Sequence, residues 1–222
     1  MIGLCKVALC TPLLLVSLLL GAGCASSTDE EITGDATGAV SADPAYDAII
    51  KNGTKVETIS TPTAQQSAST QLVGWIPKVH PDAGAKQLLT VARWSEIRDA
   101  DGAQPFTSAK VVSDSGSGNT RKLSVKLTLD GGVELDVKVV ATEGDDGTIT
   151  VHVVNTSAYK VFVVGTVLEP EKLVMDLKLI PYKEGTIVEA TTKVKLAAME
   201  GRAPPLTASI KAIFDWLKGK SR

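Results

Sequence analysis

The chain has 222 residues, 44% of them apolar, with 23 Lys and Arg against 25 Asp and Glu and a formal net charge of −2. That apolar share belongs to a globular fold rather than a disordered chain, and basic residues scattered among acidic ones do not build the positive stripe that nucleic-acid binding needs. Two histidines (His80 and His152) and three cysteines confined to the first 24 residues (Cys5, Cys10, Cys24) leave the body of the chain without an internal disulfide or the ligand set of a zinc site.

The first segment differs in kind from everything after it. Lys6 is its only charged side chain, and Val7 to Leu20 is apolar except for Thr11, Pro12 and Ser17. A run this short falls below the roughly 20 apolar residues that span a bilayer core, and the small residues Gly21, Ala22 and Gly23 suit a signal peptidase. Residues 1–23 are therefore predicted to be a signal peptide. A single leftover cysteine in an exported chain asks for a role. The stretch Leu20-Gly21-Ala22-Gly23-Cys24 resembles the lipobox of bacterial lipoproteins, although those usually carry leucine three residues before the cysteine, where this chain has Gly21. The resemblance implies a lipid on Cys24, a membrane as partner, and, with Ala25 rather than aspartate next, an outer-membrane address facing the periplasm. Ordinary cleavage after Ala25, releasing a soluble periplasmic protein, is the alternative.

Residues 24–69 are predicted to be a tether. From Ala25 to Ala42 only Ile32 and Val40 are larger apolar groups, too few to offset the entropy of ordering. A short helix follows, with Asp43 as its cap, Pro44 in its first turn, Tyr46, Ile49 and Ile50 on one face, and Asn52-Gly53 at its end. A weak strand is expected near Lys55 to Ser60.

Residues 70–222 are predicted to form the domain. Leu72 to Val79 reads as a strand that Pro77 confines to an edge or a bulge. A helical region from Pro81 to about Arg98, breaking into two short helices, would bury Leu88, Leu89, Ala92 and Ile97. After Phe106 the period becomes two. Leu123, Val125, Leu127 and Leu129 alternate with polar residues, as do Val133, Leu135, Val137 and Val139. A three-residue loop, Asp130-Gly131-Gly132, would pair Leu129 with Val133, Leu127 with Leu135 and Val125 with Val137, setting Lys126 beside Asp136. Later strands are expected with Ile149, Val151 and Val153 inward, over Val161 to Leu168, with Leu173, Met175, Leu177 and Leu179 inward, and with Val188, Ala190, Thr192, Val194 and Leu196 inward. After Pro204-Pro205, Leu206, Ile210, Ile213, Phe214 and Leu217 form one stripe of an amphipathic helix.

Catalysis needs titratable or nucleophilic groups brought together, and few are available. His152 falls on the outer strand face by alternation, and His80 sits before Pro81 at a strand-to-helix corner. Ser115-Gly116-Ser117-Gly118-Asn119 lacks the third glycine of a dinucleotide loop and the lysine of a P-loop, and reads as a hairpin turn. Asp99-Ala100-Asp101-Gly102 lacks the later ligands of a calcium loop. No cofactor is implied. Thr192, Tyr182 and Asp176 are the nearest polar candidates for an enzyme, with Asp176 on the outer face.

A strand, two short helices, a run of antiparallel strands and a terminal helix resembles the START-related, polyketide-cyclase-like helix-grip superfamily over about Leu72 to Lys218. Leu88-Leu89-Thr90-Val91-Ala92-Arg93-Trp94-Ser95-Glu96-Ile97 and Ile213-Phe214-Asp215-Trp216-Leu217 carry the resemblance beside the order of elements. It implies an α+β fold in which a curved antiparallel sheet of about seven strands wraps a long C-terminal helix. It implies, too, an apolar ligand such as a lipid between sheet and helix, in a cavity faced by Leu127, Leu135, Val137, Met175, Leu177, Val194, Ile210 and Phe214. The alternative is a structural or adaptor lipoprotein whose core is filled.

Overall fold

A computed structural model describes residues 43–61, 67–129, 132–161, 165–197 and 206–219. The signal peptide, Cys24 and the first part of the tether lie outside these residues.

Alternation of apolar and polar residues produces strands here because each strand has one face to bury. In chain order the strands are β1 (Lys55–Thr61), β2 (Ser67–Pro77), β3 (Phe106–Ser117), β4 (Thr120–Leu129), β5 (Glu134–Glu143), β6 (Ile149–Asn155), β7 (Tyr159–Val161), β8 (Gly165–Tyr182) and β9 (Gly185–Leu196). All pairings are antiparallel, and the order across the open sheet is β1-β2-β9-β8-β6-β5-β4-β3, with β7 pairing β8 off this path. The helices are α1 (Pro44–Asn52), α2 (Pro81–Leu89) and α3 (Leu206–Gly219), and a 3₁₀ segment, Val91–Glu96, follows α2.

The expected hairpin register is present: Leu127 pairs with Leu135, Val125 with Val137 and Lys126 with Asp136. The Lys126 ammonium bridges Glu134 at 3.1 Å rather than Asp136. Leu129 N donates to Val133 O at 2.8 Å, and Gly132 adopts φ 78°, which closes the loop in the left-handed region. The glycine-serine stretch turns β3 into β4 through Gly118-Asn119, with Ser117 opposite Thr120 and Gly118 at φ 57°.

Four expectations are corrected. The sheet has nine strands among the described residues rather than about seven. The strands expected over Val161 to Leu168 and around Leu173 to Leu179 meet in one 18-residue strand, β8, whose register with β9 shifts between Leu168 and Leu173. The polar run Glu169-Pro170-Glu171-Lys172 between them is an irregularity inside the strand, which continues through it. Pro77 does not mark β2 as an edge strand, since β2 lies between β1 and β9. It is the last residue of β2, beyond Val73 where pairing with β1 stops, so its missing N–H leaves no ladder partner unpaired.

The fourth concerns the tether. Its helix forms as expected, with Asp43 Oδ1 accepting from Ala45 N at 2.8 Å and Gly53 N donating to Ile49 O, but the helix is part of the folded body. Tyr46, Ile49 and Ile50 pack on Val73, Trp75, Ile180, Tyr182 and Ile187, the outward face of β2, β8 and β9. The Tyr182 hydroxyl lies 2.7 Å from Asp47 Oδ1 and 3.1 Å from the Asp43 carbonyl, while Tyr46 donates to Glu189 Oε1 at 2.9 Å. With β1 paired along β2, the body starts near residue 43 rather than at 70.

The inward face carries one large core that joins α2, α3 and the sheet. Glycine at position 74 lets α3 lie close: a Cβ there would meet Phe214 Cε2 and Cζ at 2.5 Å. Ile210, Phe214 and Leu217 are each 1–2% exposed, and burying each such side chain contributes about 1.5–3 kcal/mol. The helix thus lies across the sheet with its apolar stripe inward. This is a helix-grip arrangement.

Candidate functional site: an apolar cavity under the C-terminal helix

β3 and β9 are five strand positions apart in the sheet. In a flat sheet, at about 4.8 Å per strand, they would stand roughly 24 Å from one another. Phe106 of β3 and Thr192 of β9 nonetheless line one cavity, so the sheet curves. The cavity has a volume of about 680 Å³, within the roughly 300–1,000 Å³ range of small-molecule sites.

Its position follows from register. The lining side chains come from the end of β4 (Leu127, Leu129), the start of β5 (Leu135, Val137), the second half of β6 (Val151, Val153, Asn155), β8 (Val167, Leu168, Leu173, Met175, Leu177) and the end of β9 (Thr192, Val194, Leu196). Neighbouring strands bring these together as Leu127 with Leu135, Val153 with Met175, Met175 with Thr192, and Leu173 with Val194. At the other end of the same strands, Leu123, Val125, Val139, Ala141, Leu179 and Val188 are fully packed. One half of the grip is filled and the other is hollow.

Six of the residues expected to face a cavity are on its wall: Leu127, Leu135, Val137, Met175, Leu177 and Val194. Ile210 and Phe214 are not. The helix presents Ser209 and Ile213 to the space, while Phe214 is turned toward Gly74 on β2. A stripe on a helix fixes the buried side only to within its own width and does not say which of its residues meets the hollow half, and the missing side chain at position 74 makes room for the Phe214 ring against β2.

The roof from α2 and the 3₁₀ segment was not legible in the same way. Three residues per turn place Val91, Trp94 and Ile97 on one face, and these three are buried while Ala92 is exposed. Ala92, expected inside on α-helical spacing, is therefore outside. Trp94 and Ile97 line the cavity. Trp94 Nε1 donates to the Leu88 carbonyl at 2.7 Å, satisfying an end-of-helix acceptor and fixing the indole, which lies 6.1 Å from the Phe106 ring.

Polar groups on the wall are few. Asn155 is fully buried, and both its N–H groups and one lone pair of its carbonyl are engaged: Nδ2 donates to Ser157 O at 2.9 Å and Glu169 O at 2.8 Å, and Oδ1 accepts from Leu173 N at 2.8 Å. It ties the β6–β7 turn to the irregular part of β8. Thr192 is 1% exposed, and its hydroxyl has no hydrogen-bond partner among the described residues.

The other polar candidates lie elsewhere. His152 Nδ1 and Asp176 Oδ1 are 2.7 Å apart on the outer face of β6 and β8, both exposed. Tyr182 faces α1. His80 is exposed at the start of α2. Asp99 Oδ1 accepts from its own loop, from Asp101 N at 3.0 Å and Ala103 N at 2.8 Å. The groups with displaced pKa values also stand away from the cavity. Burial, and then the hydrogen bond to Glu189, push Tyr46 up to about 12. Lys183 and Tyr182 hold Asp47 below its ordinary value, and Arg121 does the same for Asp114.

No protein-family model matches the sequence, and no curated protein matches it either. Among solved structures, a STAR-related lipid transfer protein of Xanthomonas axonopodis is 14% identical, covering 77% of this chain and 94% of that one with a TM-score of 0.47. A START superfamily protein of Mycobacterium smegmatis is 6% identical, covering 76% and 96% with a TM-score of 0.41. A chain described as Ara h 8.0201 is 16% identical, covering 75% and 98%, also at 0.41. Likenesses this distant leave the helix-grip description resting on the strand order and on α3 lying across the sheet.

Proposed function

We propose that this protein binds an apolar small molecule in the cavity between the curved sheet and α3. The observation that carries this reading is the cavity itself: about 680 Å³ lined by side chains that are almost all aliphatic or aromatic. Protein interiors are close-packed and tolerate few voids, and an apolar cavity of this size binds apolar molecules readily. A filled core, as an adaptor would have, leaves no such space. Binding stands ahead of catalysis because the described lining holds no pair of groups able to exchange a proton with a substrate. In native mass spectrometry, protein released gently from its producing cells should carry a copurifying apolar molecule of a few hundred daltons. Bare protein from several growth conditions, with no uptake of added lipid, would overturn the reading.

We further propose that the binding domain works at a bacterial envelope, held by a lipid on Cys24. Labelled palmitate should enter the wild-type chain and not Cys24→Ala, and the variant should shift from the membrane to the soluble periplasmic fraction. An unlabelled, soluble wild-type protein would support cleavage after Ala25 instead.

A further inference from the structure

The cavity wall also constrains the charge of its occupant, an inference that rests on the binding reading above. None of the described residues that line the cavity carries a carboxylate, ammonium, guanidinium or imidazole. Strand alternation explains this: Lys126, Asp136, Lys138, His152, Asp176, Lys178 and Lys193 sit between the lining residues in sequence and point to the opposite face of the sheet. The neutral polar groups offer little to a charge. Three of the four hydrogen-bonding positions of the Asn155 amide, both N–H groups and one carbonyl lone pair, are occupied within the protein, and the hydroxyls of Tyr159, Thr192 and Ser209 are single neutral dipoles.

An ionised head drawn inside would lose its water and meet no counter-ion. The penalty for such a buried charge is large enough that the group neutralises instead. An uncharged molecule incurs no such penalty, and a hydroxyl or carbonyl on it can be met by a neutral hydroxyl of the wall.

We propose that the cavity selects an uncharged lipid, of the class of long-chain alcohols, esters, sterols or isoprenoids, and accepts a fatty acid only in its protonated form. The test uses the purified protein loaded with the neutral fluorophore N-phenyl-1-naphthylamine, displaced by 1-dodecanol or by dodecanoate between pH 6 and pH 8. The two competitors share a chain length and differ in the head. Dodecanol should displace equally well across this range. Dodecanoate should weaken about tenfold per pH unit, a hundredfold in total, because the protonated fraction of a carboxyl group with a pKa of about 4–5 falls by that factor. Dodecanoate that displaces as well as dodecanol at pH 8, or with no pH dependence, would overturn the neutral-ligand proposal while leaving the binding function intact. Failure of the fluorophore and both competitors to bind would overturn the binding function and the proposal together.

Discussion

Replacing Gly74 with alanine tests the grip of the helix on the sheet through the sign of a single stability change. Gly74 has ordinary strand backbone, so its φ and ψ by themselves accommodate alanine. On the unfolded side, removing glycine's freedom normally stabilises by about 0.4–1 kcal/mol. The folded side opposes this. The new methyl would stand 2.5 Å from two atoms of the Phe214 ring and 3.1 Å from Thr54 Cγ2, whereas carbon atoms in ordinary contact are about 3.5–4.0 Å apart. The ring is buried at 2% exposure, so about 1 Å of relief must come from moving α3 or leaving a preferred rotamer. Overpacking of this kind costs about 1–3 kcal/mol. With three atoms crowded at once the cost lies in the upper half of that range, so Gly74→Ala should lower the urea midpoint with an unchanged slope, a net destabilisation of about 1–2.5 kcal/mol. Adding Phe214→Leu should restore part of it, giving a coupling of about 1 kcal/mol or more in a double-mutant cycle. A Gly74→Ala protein as stable as wild type, or more so, would refute the placement of Phe214 against β2.

Three further outcomes follow from particular contacts. Asn155→Leu should destabilise by about 1–3 kcal/mol in thermal or urea unfolding, because it removes the side-chain partner of the Leu173 N–H and of two carbonyls at a part-buried site. Tyr182→Phe, which removes the hydroxyl shared with Asp47 and the Asp43 carbonyl, should speed hydrogen exchange in α1 severalfold while leaving α3 unchanged. Asp47 has its pKa lowered, first by Lys183 and then by Tyr182. A depressed folded pKa means that this stabilisation is present above the ordinary value of 3.8 and is lost as pH falls below it through the folded value. The melting temperature of Asp47→Asn should accordingly fall less than that of wild type between pH 5 and pH 2.5.

Much of the fold was legible in the sequence because its signals are local. Alternation from Leu123 to Val139 determines the face of β4 and β5, and together with the turn residues Asp130-Gly131-Gly132 it selects the register, since a two-residue loop would mix apolar with polar residues across the pair. The stripe on α3 likewise requires a buried face. What escaped the sequence depends on matching between distant surfaces. The stripe Tyr46, Ile49, Ile50 is visible, but the patch it covers is assembled from single outward residues of β2, β8 and β9, and nothing in any one strand announces it. The room for Phe214 of α3 against β2 comes from the absence of a side chain at Gly74, some 140 residues away. The phase of the segment after α2 depended on its winding as a 3₁₀ helix, which brought Trp94 inward and left Ala92 out. The cavity depends on curvature, a property of the whole sheet: alternation shows which strand residues turn inward, the cavity they face was implied by the resemblance, and Trp94 above it was not named as part of its wall.

The claim on which the functional account depends is that the hollow half of the grip is a binding site rather than a void. Met175 is half-buried on the cavity wall, between Val153 and Thr192 in register, and tryptophan there would occupy part of the space. In a fluorescence titration with N-phenyl-1-naphthylamine, the wild-type protein should show saturable uptake of one molecule per chain. Met175→Trp should bind at least tenfold more weakly with an unchanged circular dichroism spectrum. Wild-type protein that takes up no fluorophore, or a folded variant that binds it as tightly as wild type, would contradict the account.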